Sequence, residues 1–224
     1  MIKIDSITQK IKKIPLWVWM IVLGFIIFFT HDIQIAPDLR SVYMRAAHNI
    51  CEGKGYIKLG YPIFFRPPLF SLMIAAGYRI LGESPWSVFW VIRIFAIANP
   101  VLLYFVGKKF YSERIGFFAA LLALTSYGIC HFSYHHLDAV WPFFVLFSVF
   151  WLIKAFEEGQ LNYYLLSGLF MGLAFLIKEV AIVFFFFPFL SFFFIGEYRK
   201  AKNLKGIVIY FIILVLVLLP WLVY

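Results

Sequence analysis

Apolar positions along this chain come in long blocks rather than in alternation with polar ones. Seven such blocks run over Ile14–Thr30, Trp86–Val106, Ile115–His131, Ala139–Ala155, Leu161–Ile177, Val180–Ile195 and Gly206–Tyr224. Their length matches what an α-helix needs to cross a hydrocarbon core about 30 Å thick. Short alternating segments of about ten residues, the mark of an outer-membrane barrel, are missing from the pattern. The expected fold class is therefore an all-α integral membrane protein with about seven transmembrane helices, forming one polytopic domain over residues 1–224.

Two further segments carry apolar residues on one face only. Asp38–Lys54 repeats Leu39, Val42, Tyr43, Ala46 and Ile50 at helical spacing, with Ser41, Arg45, His48 and Glu52 on the other faces. Asp38 follows Pro37 as an N-cap or first-turn acid, and Gly53 and Gly55 end the helix. Pro67–Gly82 is greasier and is entered through Pro67-Pro68, which suits a helix start. Helices of this kind beside a span are expected to lie in the interface plane. An outer loop at 31–85 would then hold two in-plane helices, at 38–53 and 67–82. Plain anchoring of the loop is the competing reading for their apolar faces.

Charge placement orients these spans. Of 20 Lys and Arg, more than half fall in the N-terminal segment 1–13 (Lys3, Lys10, Lys12, Lys13) and in loops holding Lys108, Lys109, Arg114, Lys154, Arg199, Lys200, Lys202 and Lys205. If Pro67–Gly82 lies along the surface, all of these share one side, as the positive-inside bias expects of the cytoplasm. If it crossed, the later loops would move outside. The net charge of +9 thus reads as topology, and no nucleic-acid partner is expected. The same choice puts Asp38 and Asp138 on one outer face.

Composition agrees, with 64% hydrophobic and 14% charged residues, far from the soluble average. Two cysteines, Cys51 and Cys130, allow one bridge and no disulfide framework. Among 11 carboxylates, Asp138 stands out because His131, His135 and His136 lie within seven positions of it. Acid and imidazole together can hold a divalent ion or move protons. A plain helix-start charge is the alternative. The metal candidates are Asp38, Asp138 and His136.

Arg66, just before two prolines that remove amide donors, offers a bidentate anion contact. A headgroup-snorkelling arginine is its bland counterpart. Arg93 lies inside a span, where an ionisable side chain should face the bundle or a wet cavity. Lys178 ends a span, where snorkelling is the cheaper account. Pro100 and Pro188 are expected to kink or break their helices. Nothing in the sequence resembles a Gly-rich phosphate loop, a nucleophile elbow or a cysteine metal pattern.

The order of these features is similar to a known group. Asp38-Leu39-Arg40-Ser41-Val42-Tyr43, then Gly53–Tyr56, Arg66-Pro67-Pro68-Leu69, Arg93 in a span, Gly107-Lys108-Lys109-Phe110, Asp138, and Gly172-Leu173-Ala174 with Lys178 follow one another. This resembles the membrane-embedded GT-C glycosyltransferases, in the protein O-mannosyltransferase and aminoarabinose-transferase branch. The resemblance implies a polyprenyl-phosphate-linked sugar donor and transfer on the non-cytoplasmic side. It implies Asp38 as general base on the acceptor hydroxyl, Arg66 on the donor phosphate, and Asp138 as a second acid that lines the cavity or helps hold a metal. Tyr43, Arg93, His135, His136 and Lys178 join Arg66 as substrate-binding candidates. The family often has a second acid where Leu39 stands, and commonly Lys where Arg66 stands.

Two other readings use the same residues. One is a non-catalytic binder or flippase component for a lipid-linked substrate. The other is the N-terminal part of a split or longer glycosyltransferase, with a C-terminal partner chain, because the resembling enzymes continue past a Pro-Trp such as Pro220-Trp221. Membrane lipids are partners in every case.

Overall fold

The computed structural model describes residues 15–29, 35–126 and 137–223. The fold is all-α, with one two-stranded hairpin. Helix α1 spans Leu16–Phe29. A π-helical turn, Leu39–Met44, runs into α2, Arg45–Cys51. Strands β1 (Ile57–Lys58) and β2 (Tyr61–Pro62) pair antiparallel, and α3 follows over Leu69–Leu81. Then come α4 (Pro85–Phe110), α5 (Glu113–Thr125), a 3-10 turn at Leu137–Ala139 and α6 (Trp141–Glu158). Helix α7 (Leu161–Ile177) leads into a 3-10 stretch, Glu179–Phe184, and α8 (Phe187–Phe194). A turn at Gly196–Tyr198 and α9 (Ala201–Leu222) complete the chain.

Each of the seven apolar blocks holds a helical segment. Three of these segments, Pro85–Phe110, Leu137–Glu158 and Ala201–Leu222, are long and apolar enough to cross a membrane. The two amphipathic segments are helical as expected, bounded by Gly53 and Gly55 with positive φ at one and by Gly82 at the other. Local chemistry sets several ends. Ser84 and Ser112 cap α4 and α5 by accepting from the amides of Ser87 and Ile115. Gly159, with φ of 69°, closes α6 in a left-handed C-cap.

Of the kink or break expected at Pro100, the break does not occur: α4 continues through it. A span tolerates the lost bond when neighbouring helices surround it, and Pro100 is buried among them. Pro188 behaves as expected: the apolar block Val180–Ile195 is broken just before it, where the 3-10 stretch ends, and α8 begins with Pro188 in its first turn.

The interior divides into two clusters. One gathers α1, α2, α3, α4 and α5 around Tyr43, Phe70, Ile74, Ile92 and Leu124. The other packs α6, α7, α8 and α9 around Tyr164, Met171, Ile207 and Tyr210. Small residues bring backbones together in both. A Cβ on Gly107 would lie 2.6 Å from Gly116 Cα, and one on Gly116 would strike the Tyr104 carbonyl. Gly168 similarly faces the Tyr210 carbonyl, and Gly172 meets Val217 at 2.8 Å. Ser148 adds a polar tie, donating to the Ser167 carbonyl at 2.8 Å between α6 and α7. Ile177, at the end of α7, belongs to the first cluster. That reach sets α7 against α3.

Candidate active site

The π-helical turn is where the site begins. Its extra residue places Leu39, Val42 and Tyr43 inward together. Asp38 sits in helical backbone just before it, a first-turn acid rather than an extended N-cap, with Oδ1 accepting from the Leu39 amide at 2.8 Å. Tyr43 is fully buried, its ring edge-on to Phe70 at 5.3 Å between centroids. Its hydroxyl has no hydrogen-bond partner among the described residues. Burial pushes the Tyr43 hydroxyl up from its ordinary value, against the opposing field of Arg66 and with that of Glu179, Tyr56 and Asp38.

Arg66 reaches this point through the hairpin. Tyr56 donates its hydroxyl to the carbonyls of Arg66 and Pro67 at 3.1 and 3.2 Å, fixing the chain where it enters α3. The Arg66 guanidinium donates from Nη1 to Glu179 Oε1 at 2.6 Å. Burial works against its charge, but Tyr43, Glu179 and Asp38 outweigh that and raise its pKa. Arg66 is thus an ion-pair partner inside the fold and not a headgroup-directed arginine.

Lys178 is corrected in the same way. Instead of snorkelling, its Nζ donates to Asp138 Oδ1, and both side chains are about three-quarters covered. Trp141 Nε1 donates to that same oxygen at 3.2 Å. Asp138 lies in the 3-10 turn ahead of α6. Lys178 has extended backbone, φ −148° and ψ 125°, at the end of α7. Successive side chains on extended backbone point opposite ways. This is why neighbours Lys178 and Glu179 serve different partners, Asp138 and Arg66.

Arg66 thus pairs with Glu179 and Lys178 with Asp138, the two pairs adjoining through the neighbours Lys178 and Glu179, while Asp38 acts on Arg66 and Tyr43 through its field. Two members were not foreseen as site residues, Glu179 and Tyr56. Only the turn-forming position of Glu179 after a span hinted at it. Arg93 is buried in α4 with its guanidinium 5.6 Å from the Phe89 ring centroid, facing the bundle as expected. His131, His135, His136 and Cys130 lie outside the described residues. Cys51 is a free thiol, its Sγ 3.5 Å from the Ala75 carbonyl.

Among the described residues no three or more His, Cys, Asp or Glu form a group able to hold an ion. Of the three metal candidates, Asp138 carries the Lys178 ammonium, and His136 lies outside the described residues.

An apolar groove of about 230 Å³ is lined by Tyr56, Pro68, Leu72, Leu176, Val217 and Trp221. Tyr56, in this lining, also holds the Arg66 carbonyl. Along the chain, Pro68 is two residues past Arg66 and Leu176 two before Lys178.

Comparison with known proteins places the chain. Residues 65–224 match the family described as dolichyl-phosphate-mannose-protein mannosyltransferase. A curated relative, an undecaprenyl phosphate-alpha-4-amino-4-deoxy-L-arabinose arabinosyl transferase of Pseudomonas savastanoi pv. phaseolicola, is 23% identical over 168 residues, covering 71% of this chain and 30% of that protein. Crystal structures of ArnT from Cupriavidus metallidurans, in the apo state and bound to undecaprenyl phosphate, each superpose with a TM-score of 0.75 at 13% identity. They cover 92% of this chain and 40% of theirs. The chain therefore spans less than half the length of these relatives. The apolar helices and these likenesses make it an integral membrane protein, and the GT-C resemblance read from its residues is borne out. The chain belongs to the dolichyl-phosphate-mannose-protein mannosyltransferase family.

Proposed function

We propose that this chain forms the catalytic face of a glycosyltransferase that moves a sugar from a polyprenyl-phosphate-linked donor to a hydroxyl-bearing acceptor at the non-cytoplasmic side. The observation that carries this is Tyr56, which lines the apolar groove and also holds the backbone of Arg66, one of two cations, with Lys178, kept in place by long-range ion pairs. An anionic head on a long hydrocarbon tail has that same division of chemistry. The undecaprenyl phosphate named in the relative and in the bound ArnT structure is such a molecule and supports the assignment.

The reaction needs three things. The bond between the sugar's anomeric carbon and the phosphate oxygen breaks, and the departing phosphate gathers charge. Arg66 and Lys178 stabilise that charge, the kind of electrostatic contribution that is often the largest in catalysis. The acceptor oxygen bonds to the anomeric carbon as its proton passes to Asp38, help worth about 10²–10⁴-fold. Asp138 holds Lys178 in place, a positioning role rather than the metal-holding one. The two amphipathic helices, in the interface plane, roof the site from the outside.

The test is Asp38→Asn in the protein in its own membrane, supplied with a radiolabelled polyprenyl-phosphate sugar. Transfer should fall at least about 10²-fold with membrane insertion unchanged. Full activity would remove Asp38 from the role. A second reading, a lipid-phosphate binder or one part of a split enzyme, is favoured by the 30% and 40% coverage of the relatives. Donor binding without turnover in any Asp38 or Asp138 background would select it.

A further inference from the structure

Resting on that donor reading, we propose that Glu179 is a built-in occupant of the phosphate seat, a carboxylate that holds Arg66 until the donor phosphate displaces it. Three observations converge on this. First, the contact is one-pronged: Arg66 Nη1 meets Glu179 Oε1 at 2.6 Å, although a guanidinium presents a fork suited to two oxygens. Second, two polar atoms at this point are buried and unpartnered among the described residues, the Tyr43 hydroxyl and Glu179 Oε2. Buried polar groups in a native protein are nearly always satisfied, so the pair fills the seat incompletely. Third, the residues of the pair are 113 positions apart and come from separate elements, the hairpin exit and the 3-10 turn after α7.

A phosphate monoester or diester differs from a carboxylate in the ways this seat asks for. It carries more acceptor oxygens on a tetrahedral centre, so it can take both prongs of Arg66 and the Tyr43 hydroxyl together. A carboxylate in its place is stable enough to keep the guanidinium oriented between turnovers. It is weak enough to leave, because the Arg66 and Glu179 side chains are 31% and 45% exposed and such pairs contribute little. Lys178, one residue away, stays on Asp138 throughout, so the turn keeps its anchor while Glu179 swings. Glu179 is accordingly a specificity-setting residue: it raises the threshold for any anion that cannot offer more than it does.

Affinity separates this from a structural role. The probes are geranyl phosphate and inorganic phosphate, titrated against the full chain in detergent. Glu179→Gln keeps the shape and removes the charge, and it should tighten geranyl phosphate roughly three- to tenfold. Glu179→Ala should do the same, so that a packing fault in either variant is exposed by the other. A residue that merely supported the fold would weaken binding when replaced. Arg66→Gln should abolish binding with or without the Glu179 change. A gain with inorganic phosphate as well identifies competition for the bare anion, and a gain confined to geranyl phosphate assigns it to the lipid-linked head; either supports displacement. Unchanged or weaker geranyl phosphate binding in both Glu179 variants, with Arg66→Gln still inactive, overturns the competition and leaves the donor reading standing. Wild-type binding by Arg66→Gln overturns the donor reading itself.

Discussion

The two ends of the helix bundle hold their charges differently. At the site end, Arg66 pairs with Glu179 across 113 positions and Lys178 with Asp138 across 40. At the opposite end, Lys108 pairs with Glu113 at 3.0 Å and Lys154 with Glu158 at 3.7 Å, five and four positions apart. The local pairs form wherever a helix or tight turn puts opposite charges on neighbouring positions, and water competes for them. The long-range pairs exist only if the whole fold is assembled. Of these, Lys178–Asp138 is the more covered, at 26% and 28% exposure, and the costlier to leave half-made. Charges at one end therefore report topology and solubility, whereas charges at the other are committed to geometry.

That contrast can be broken by removing single partners. The largest effect is expected from Lys178→Met, which leaves Asp138 covered and without its ammonium. Thermal unfolding in detergent should show a loss of about 1–3 kcal/mol, partly restored when Asp138→Asn is added. Equal losses in the single and double variants would mean the pair is incidental. Lys108→Ala at the opposite end should leave the melting temperature unchanged within error and lose no donor binding. A drop comparable to that of Lys178→Met would erase the distinction between the ends.

The smallest effect concerns an exposed contact at the site end. His48 Nδ1 lies 2.9 Å from both oxygens of Glu83 and Nε2 lies 3.3 Å from Glu52. The hydrogen bond and field of Glu83 raise the imidazole from its ordinary 6.5. A raised pKa in the folded state means the contribution is fully present below the ordinary value and fades as pH rises through the raised one. The melting-temperature gap between wild type and His48→Gln should thus be widest in mild acid and close in mild alkali. A gap that widens with pH would reverse the assignment.

Much of this was legible along the chain. Block length placed the helices, because desolvation of the backbone leaves few alternatives in a bilayer. Arg66 and Asp138 stood out because an ionisable residue beside an apolar segment needs a reason, and Asp38 because the resemblance pointed to it. The identity of their partners was not. Glu179 looked like one acid among several, since nothing local says that an extended residue at Lys178 will turn it towards Arg66. Pro100 leaves α4 unbroken because neighbouring segments enclose it, which a rule for proline in an unsupported helix does not count. Tyr56 was hidden among many aromatics. Its function comes from where its hydroxyl ends up, on the carbonyls of Arg66 and Pro67.

The turn at Leu39–Met44 has a consequence for how this stretch tolerates length changes. A π-helical turn carries one residue more than the α-helical turn it replaces. In an α-helix one residue is about 100° of rotation, at 3.6 residues per turn. Chain length between Asp38 and Arg45 is therefore an angular coordinate. Regular α-helix over the same residues would swing Asp38 by roughly a quarter-circle relative to Ala46 and Ala47, which are fully buried. The π-helical turn absorbs that rotation, so a one-residue deletion that relaxes it to α-helix would leave the acid pointing much as before, whereas an insertion would turn it away.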